Sequence, residues 1–390
     1  MSGPRGAPGL LWVDATATAS TRLRTGIQRV VRGLVGEGAH GSALPVMPAV
    51  WEGRFRPASP RERRRLGGAP GSSRREKGEG RASPQPGDRL LLPEILDGER
   101  IAGLRALLAL PPAERPEVLG IAHDALSWTS PQWTPPERRE GFGAYLGLLA
   151  RCDRVLVPSA FTAEELGQAW REGAAEPDAQ PPAPEICPWP VDASFRFREA
   201  GGEGTGGTRP GPGAPPVIAC VGTLEARKNQ GALLTACERL WEEGYSFRLE
   251  LVGRQRARSE RAWPDRIREL RRRGRPLRWR DRVGEADLVA LYGRATFSVY
   301  PSLAEGFGLP IAESVACGCP CLCAGFGAMG EVAGGGGCRT LPAVTAEALA
   351  TGLGELLTHP DEVEELRREA GRRTWVNWAD WIAGLPPASS

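Results

Sequence analysis

Two carboxylates, Glu305 and Glu313, stand with seven residues between them in the stretch YPSLAEGFGLPIAES, residues 300–314. Earlier in the chain, GTLEARKNQ (residues 222–230) carries a basic pair, Arg227 and Lys228. A forked guanidinium beside an ammonium point charge suits two phosphates. Gly306 and Gly308 frame Phe307 and precede Leu309, a turn that lets an anion approach bare backbone N–H groups. A carboxylate does not bind phosphate, but next to a phosphate site it accepts hydrogen bonds from sugar hydroxyls. Together these residues describe a pocket for a sugar attached to a nucleoside diphosphate. Lysine occurs only at Lys77 and Lys228 in a chain otherwise rich in arginine, which makes Lys228 the more informative. One of only three histidines, His123, follows an apolar run and is well placed for ligands at a strand's carboxyl end.

The elements that must hold these groups follow from periodicity. TFSVYP (residues 296–301) reads as a short buried strand ended by a proline. Pro310 sits where a helix begins, 311–316 continue it, and Gly318 ends it. VIACVG (217–222) starts a second αβ region, followed by a helix with a stripe at Leu233, Leu234, Cys237, Leu240 and Trp241. Further expectations there are a strand over 247–253 and helices over 283–292, 346–357, 361–373 and 375–382. In the N-terminal half, LLWVD (10–14) is a strand and Thr25-Gly26 opens a helix with a stripe at Ile27, Val30, Val31, Leu34 and Val35. Strands are expected over 89–92, 117–122 and 154–158, and a helix over 101–110. Thr162 with Glu165 predicts a capping box for a helix over 163–171. Strands alternating with helices predict an α/β protein with parallel sheets.

The 390 residues suffice for two such domains, and a net charge of +3 implies no nucleic-acid partner. The N-terminus lacks a secretory apolar run, and no stretch has the length of a membrane span. Nine cysteines without extracellular spacing suit a reducing compartment, and Cys317, Cys319, Cys321 and Cys323 suit small buried packing better than a metal site. Residues 57–89, rich in Arg, Gly, Pro and Ser, are expected as a flexible loop, and 201–216 either separates the domains or follows the hinge. Residues 254–282 hold thirteen arginines against four acids, a solvated or lipid-headgroup-facing surface, since aromatics for nucleic acid are few.

EGFGLPIAES resembles the E-x7-E element of retaining glycosyltransferases of family 4. GTLEARKN resembles the family's R-K loop, TGIQRVVR its first helix in polysaccharide-assembling members, and the segment from His123 its "HD…P" stretch. The resemblance implies the GT-B fold: two doubly wound Rossmann-like domains facing one another across a cleft. Its implied boundaries are an acceptor-side domain over 1–195 with a flexible insertion at 52–88, a linker over 196–216, a nucleotide-sugar domain over 217–373, and a closing helix within 374–390 that returns to the first domain.

It also implies roles. Arg227 and Lys228 neutralise the leaving diphosphate, with Gly26 facing it and Gly306, Phe307, Gly308 and Leu309 cradling it. Glu313 holds the ribose, Glu305 the sugar hydroxyls, Val283 lies beneath the nucleobase, and His123 reaches the reacting sugar. The implied reaction is retaining transfer of a hexose, mannose from GDP-mannose as first expectation, to a hydroxyl of a glycan, lipid-linked or small-molecule acceptor. No separate cofactor and no metal are expected, and the setting is cytoplasmic with peripheral contact at the inner membrane face. The sequence departs from the family at Thr223, Trp189-Pro190 and Met329-Gly330. Those departures leave open a non-catalytic nucleotide-binding relative, and a sugar-nucleotide epimerase on the same architecture is the other rival. A pyridoxal-dependent phosphorylase would need a Schiff-base lysine, and Lys228 stands in the wrong motif for it.

Overall fold

Short apolar runs become strands covered on both faces, the pattern of parallel sheets. The computed structural model describes residues 9–21, 25–42, 44–67, 81–196, 211, 213–255 and 262–385. Its contacts divide the chain into two units, residues 1–190 with 376–390, and residues 191–375.

The first unit contains β1 (Leu11–Asp14), β2 (Val46–Trp51), β3 (Phe55–Pro57), β4 (Arg89–Leu92), β5 (Glu117–Ile121), β6 (Arg154–Val157) and β7 (Glu185–Ile186). They form one sheet in the order β3-β2-β1-β4-β5-β6-β7. All neighbours are parallel except β2 and β3. Its core includes Trp12, Leu90, Val118, Tyr145 and Leu146. The stripe predicted after Gly26 is real: Val30, Val31, Leu34 and Val35 are buried, on a helix Gly26–Gly33 that continues as a π-turn to Gly38. The C-terminal helix Trp378–Ala383 packs there. A Cβ on Gly33 would lie 2.1 Å from Trp378 Cε2, and one on Gly38 would lie 2.4 Å from Ile382 Cδ1. Neither position has room for a side chain.

The second unit contains β8 (Val217–Val221), β9 (Arg248–Val252), β10 (Leu277–Arg280), β11 (Phe297–Tyr300), β12 (Cys321–Ala324) and β13 (Cys338–Leu341). The order is β10-β9-β8-β11-β12-β13, parallel throughout. Alternate residues feed two clusters on opposite faces. Ile218, Cys220 and Leu322 join Leu233, Leu240, Leu349 and Leu353, whereas Ala219, Cys321 and Cys323 join Leu288, Ile311, Val315 and Val332. Helices therefore cover both faces, and Cys319, Cys321 and Cys323 serve as buried packing residues.

Several local expectations need correction. Residues 55–57 and 60–65 are not loop: β3 pairs with β2, and Pro60–Arg65 is a helix capped by Ser59. Arg56 there binds Glu52 and Glu62, while Phe55 and Leu66 are buried. Backbone pairing, a capping box and ion pairs require few apolar side chains, which is what a count of apolar residues misses. The remaining part of that segment at 68–80 lies outside the described residues, as do 197–210 and 212 of the expected linker. Glu165 does not close a capping box; Ser159 caps the helix Ala160–Ala169, accepting from the Thr162 N–H at 3.0 Å, and Glu165 pairs with Thr129. Residues 327–333 are a helix in which Met329 is buried. The basic segment forms the helix Ala262–Arg272, with 256–261 outside the described residues. Arg266 and Arg273 there pair with Glu238 and Glu242 of the preceding helix Gln230–Glu242. Among the described residues no helix is long and apolar enough to cross a membrane.

Candidate active site

In the second sheet the chain runs from β8 out through β9 and β10, then restarts on the other side of β8 with β11. Loops leaving β8 and β11 thus part at the carboxyl edge, the place where open α/β sheets bind ligands. The β8 loop ends in a tight turn, Ala226–Lys228, and Asn229 follows in the left-handed conformation (φ 56°) before the helix Gln230–Glu242. Gln230 Nε2 donates to Thr223 O at 2.9 Å, which ties the helix start back to the loop.

The two loops are sewn together. Leu303 N donates to Arg227 O at 2.9 Å, and Arg227 Nη1 donates to Ala304 O at 2.6 Å. Glu305, 8 % exposed, lies between the two cations. Its Oε1 accepts from Lys228 Nζ at 2.5 Å and Ser302 Oγ at 2.5 Å, and its Oε2 lies 2.9 Å from Arg227 Nη1. Lys228 Nζ also donates to Tyr300 Oη at 2.7 Å, and Arg227 Nη2 to Glu225 Oε1 at 3.1 Å. Burial would raise the Glu305 carboxyl, but Lys228 and Arg227 overcome it and hold the group at about 2. The carboxylate is therefore ionised at neutral pH. Two cations and two carboxylates share this corner; Glu305 Oε1 already accepts two bonds, so its capacity for a further donor lies on Oε2.

Downstream, Gly308 adopts φ +109° and turns the chain into the helix Leu309–Ala316, with Pro310 in its first turn. Gly308 O accepts from Ile311 N at 2.9 Å. Gly306 and Gly308 are buried, and Phe307 and Leu309 partly so. This helix directs its positive end toward the same loop, the geometry that favours an anion. Glu313, 3 % exposed, lies one turn in. Val283 is partly buried just before the helix Glu285–Arg294, whose start is closed by Asp287 accepting from Gly284 N at 3.2 Å. Arg227, Lys228 and Glu305 thus meet directly, residues 306–309 and Glu313 follow on one continuous turn and helix, and Val283 marks a separate helix start.

The first unit holds the other two predicted residues. Gly26 is exposed at the first position of its helix. His123 follows β5, and its Nε2 lies 2.7 Å from Pro93 O, which makes Nε2 the protonated nitrogen and leaves Nδ1 as an acceptor. Burial holds the ring below its ordinary pKa, against the opposing pull of the Pro93 hydrogen bond and of Asp124 and Glu94. Here too the sheet reverses, between β1 and β4. A buried group occupies that point: Arg100 Nη1 is 3.0 Å from Asp14 Oδ2 and 3.0 Å from Glu94 Oε2, and Glu94 accepts from the Ala17 and Thr18 N–H groups at 2.7 Å each. Burial, with Glu94 beside it, pushes Asp14 up to about 6.

Sequence reasoning passed over Tyr300, Ser302, Glu225, Asp14, Glu94 and Arg100. Position alone could have flagged Asp14 and Glu94, since the first ends an apolar strand and the second stands two residues past one. The bonds of Tyr300 and Ser302 leave no periodic signal.

Residues 209–374 match the family model for glycosyl transferases group 1. The chain is 28 % identical over 213 residues to the serotype-specific mannosyltransferase WbdA of Escherichia coli, a match covering 50 % of this chain and 24 % of that protein. It is 38 % identical over 122 residues to the O-antigen chain mannosyltransferase B of Escherichia coli, covering 30 % of each. It therefore spans about a quarter to a third of the curated relatives it matches. Among solved structures, sucrose-phosphate synthase from Thermosynechococcus elongatus has the same fold, with TM-score 0.65, 15 % identity and 96 % of each chain covered.

Proposed function

We propose that this protein, whose residues 209–374 form a group 1 glycosyl transferase domain on a GT-B fold, transfers a hexose from a nucleotide-sugar to a hydroxyl with retention at the anomeric carbon. The observation that carries this reading is the pair Arg227 and Lys228, held by Glu305 at the switch point beside the glycine turn and helix start. As the bond from the sugar to the diphosphate breaks, negative charge grows on the leaving phosphate oxygens. Two fixed cations and the amides of residues 306–309 stabilise that charge without reorganising, the arrangement that lowers a barrier most. In this role protein cations take the place of a divalent metal.

Glu305 is assigned to the sugar hydroxyls through the lone pairs its ion pairs leave, and Glu313 to the ribose. His123, neutral at pH 7 and presenting Nδ1, is assigned to the sugar as positive charge builds at its anomeric carbon; Gly26 is assigned to the diphosphate and Val283 to the base. The names of the two curated relatives favour mannose, and GDP-mannose is the first donor to test. The acceptor is a hydroxyl of a glycan, lipid-linked or small molecule, met in the cytoplasm with peripheral contact at the inner membrane face.

The test is incubation of the purified protein with GDP-mannose, UDP-glucose, UDP-N-acetylglucosamine and dTDP-glucose, with a mixed panel of glycan and lipid-linked acceptors. We expect release of one nucleoside diphosphate that depends on acceptor and survives EDTA. Conversion of the donor to its epimer with no acceptor present would instead assign an epimerase. Diphosphate binding with neither reaction would assign a non-catalytic relative.

A further inference from the structure

Trp189 is one of the residues at which the chain departs from the family pattern, and the structure gives it a place. It is 4 % exposed, and its ring centroid lies 5.4 Å from that of His123, tilted by 41°. On its other sides it meets two tryptophans of the C-terminal helix, Trp381 at 5.7 Å and Trp378 at 6.5 Å, which themselves meet edge-on at 6.1 Å. Trp378 in turn fills the notch over Gly33, on the helix that begins at Gly26. One aromatic chain thus runs from that helix, through Trp378, Trp381 and Trp189, to the imidazole. A leucine at position 189 would reach His123 with fewer atoms and no ring face.

We propose that Trp189 is a positioning residue for His123, and that the helix Trp378–Ala383 acts through it to fix the imidazole's plane. Two constraints meet on that ring. Pro93 O binds Nε2 at 2.7 Å and sets the tautomer, but one hydrogen bond leaves the ring free to swing about that axis. Trp189 closes one face and removes the swing, so that Nδ1 keeps a single direction. Offset and tilted ring pairs at such distances are favourable beyond the area they bury. The charged groups that bear on His123 are Asp124, its chain neighbour, and Glu94, beyond Pro93; neither depends on residue 189. A change in how the ring titrates on altering Trp189 therefore reports packing, not a lost charge.

This inference rests on the role given to His123 above, and the test separates the two. The full chain is labelled at histidine, and the three rings are followed by NMR from pH 4 to pH 8, in wild type, Trp189→Leu, Trp189→Phe and Trp381→Leu. His40 and His359 serve as internal references. In Trp189→Leu and Trp381→Leu the His123 titration is expected to move up toward the ordinary histidine value while the references stay. Turnover should fall roughly 10- to 100-fold with donor KM changed less than about 3-fold, since a loosely aimed group loses transition-state contact but not ground-state binding. Trp189→Phe should restore turnover to within about 3-fold of wild type. If Trp189→Leu does not fold, Trp381→Leu carries the same test from the helix side. An unmoved His123 titration with unchanged turnover in the folded variant would overturn the proposal. Absence of transfer by wild type would overturn the functional reading alone, because the titration reads the ring without turnover.

Discussion

Lys228→Ala should lower kcat/KM with the preferred nucleotide-sugar by roughly 10³-fold, about 4 kcal/mol of transition-state stabilisation. The ammonium is one of two cations able to reach a diphosphate in that loop, and it is aimed by Tyr300 Oη at 2.7 Å and Glu305 Oε1 at 2.5 Å. Its charge matters most when phosphate oxygens become most negative, so kcat should fall more than KM rises. The fold should tolerate the change, because Glu305 retains Arg227 at 2.9 Å and Ser302 at 2.5 Å. Steady-state kinetics beside a melting curve distinguishes this from unfolding. A kcat within 3-fold of wild type would remove Lys228 from the chemistry.

The second large effect belongs to Glu305→Gln and appears first in stability. The carboxyl sits at about 2 in the folded protein against an ordinary 4.5. A folded value below the unfolded one stabilises the protein above the unfolded value, and that contribution is lost as pH falls from about 4.5 toward 2. At pH 7 it amounts to about 3 kcal/mol, and replacing the acid by an amide leaves two cations short of their shared counter-charge. We expect a lower Tm at pH 7, a gap from wild type that narrows as pH falls below about 4, and strong loss of turnover. A nucleoside diphosphate should raise the variant's Tm by more than it raises wild type's, because the anion replaces the missing charge. Equal shifts in both proteins would separate Glu305 from the diphosphate site.

Much of this was legible in the residues. Continuous apolar runs such as LLWV and VIACV can be little else than parallel strands, and the stripe at Val30, Val31, Leu34 and Val35 follows helix geometry. The strand, glycine turn and proline-led helix from 297 to 316 could be placed because each step needs a particular residue type. Arg227, Lys228 and Glu305 were found as types suited to a task. Their mutual ion pairing was not foreseen, since it depends on β8 and β11 lying side by side, a fact of topology that no local pattern records. The helix at 60–65 escaped notice because its stability comes from Ser59, Glu62 and Arg56, not from an apolar face. Trp189 read as a defect in a motif, and only the position of Trp381 turns it into a packing partner of His123.

The most direct test of the account is thermal unfolding of the purified protein with GDP, UDP, ADP and dTDP, each with and without EDTA. A ligand that binds only the folded state adds about 2.7 kcal/mol at a hundred times its dissociation constant, a readable rise in Tm. The account predicts that one diphosphate stabilises the protein, with GDP the first expectation, that EDTA leaves the rise intact, and that Lys228→Ala diminishes it. No rise with any of the four would mean that the turn at 306–309 and the Arg227–Lys228 pair are not a working nucleotide site, and would contradict the transferase reading at its base.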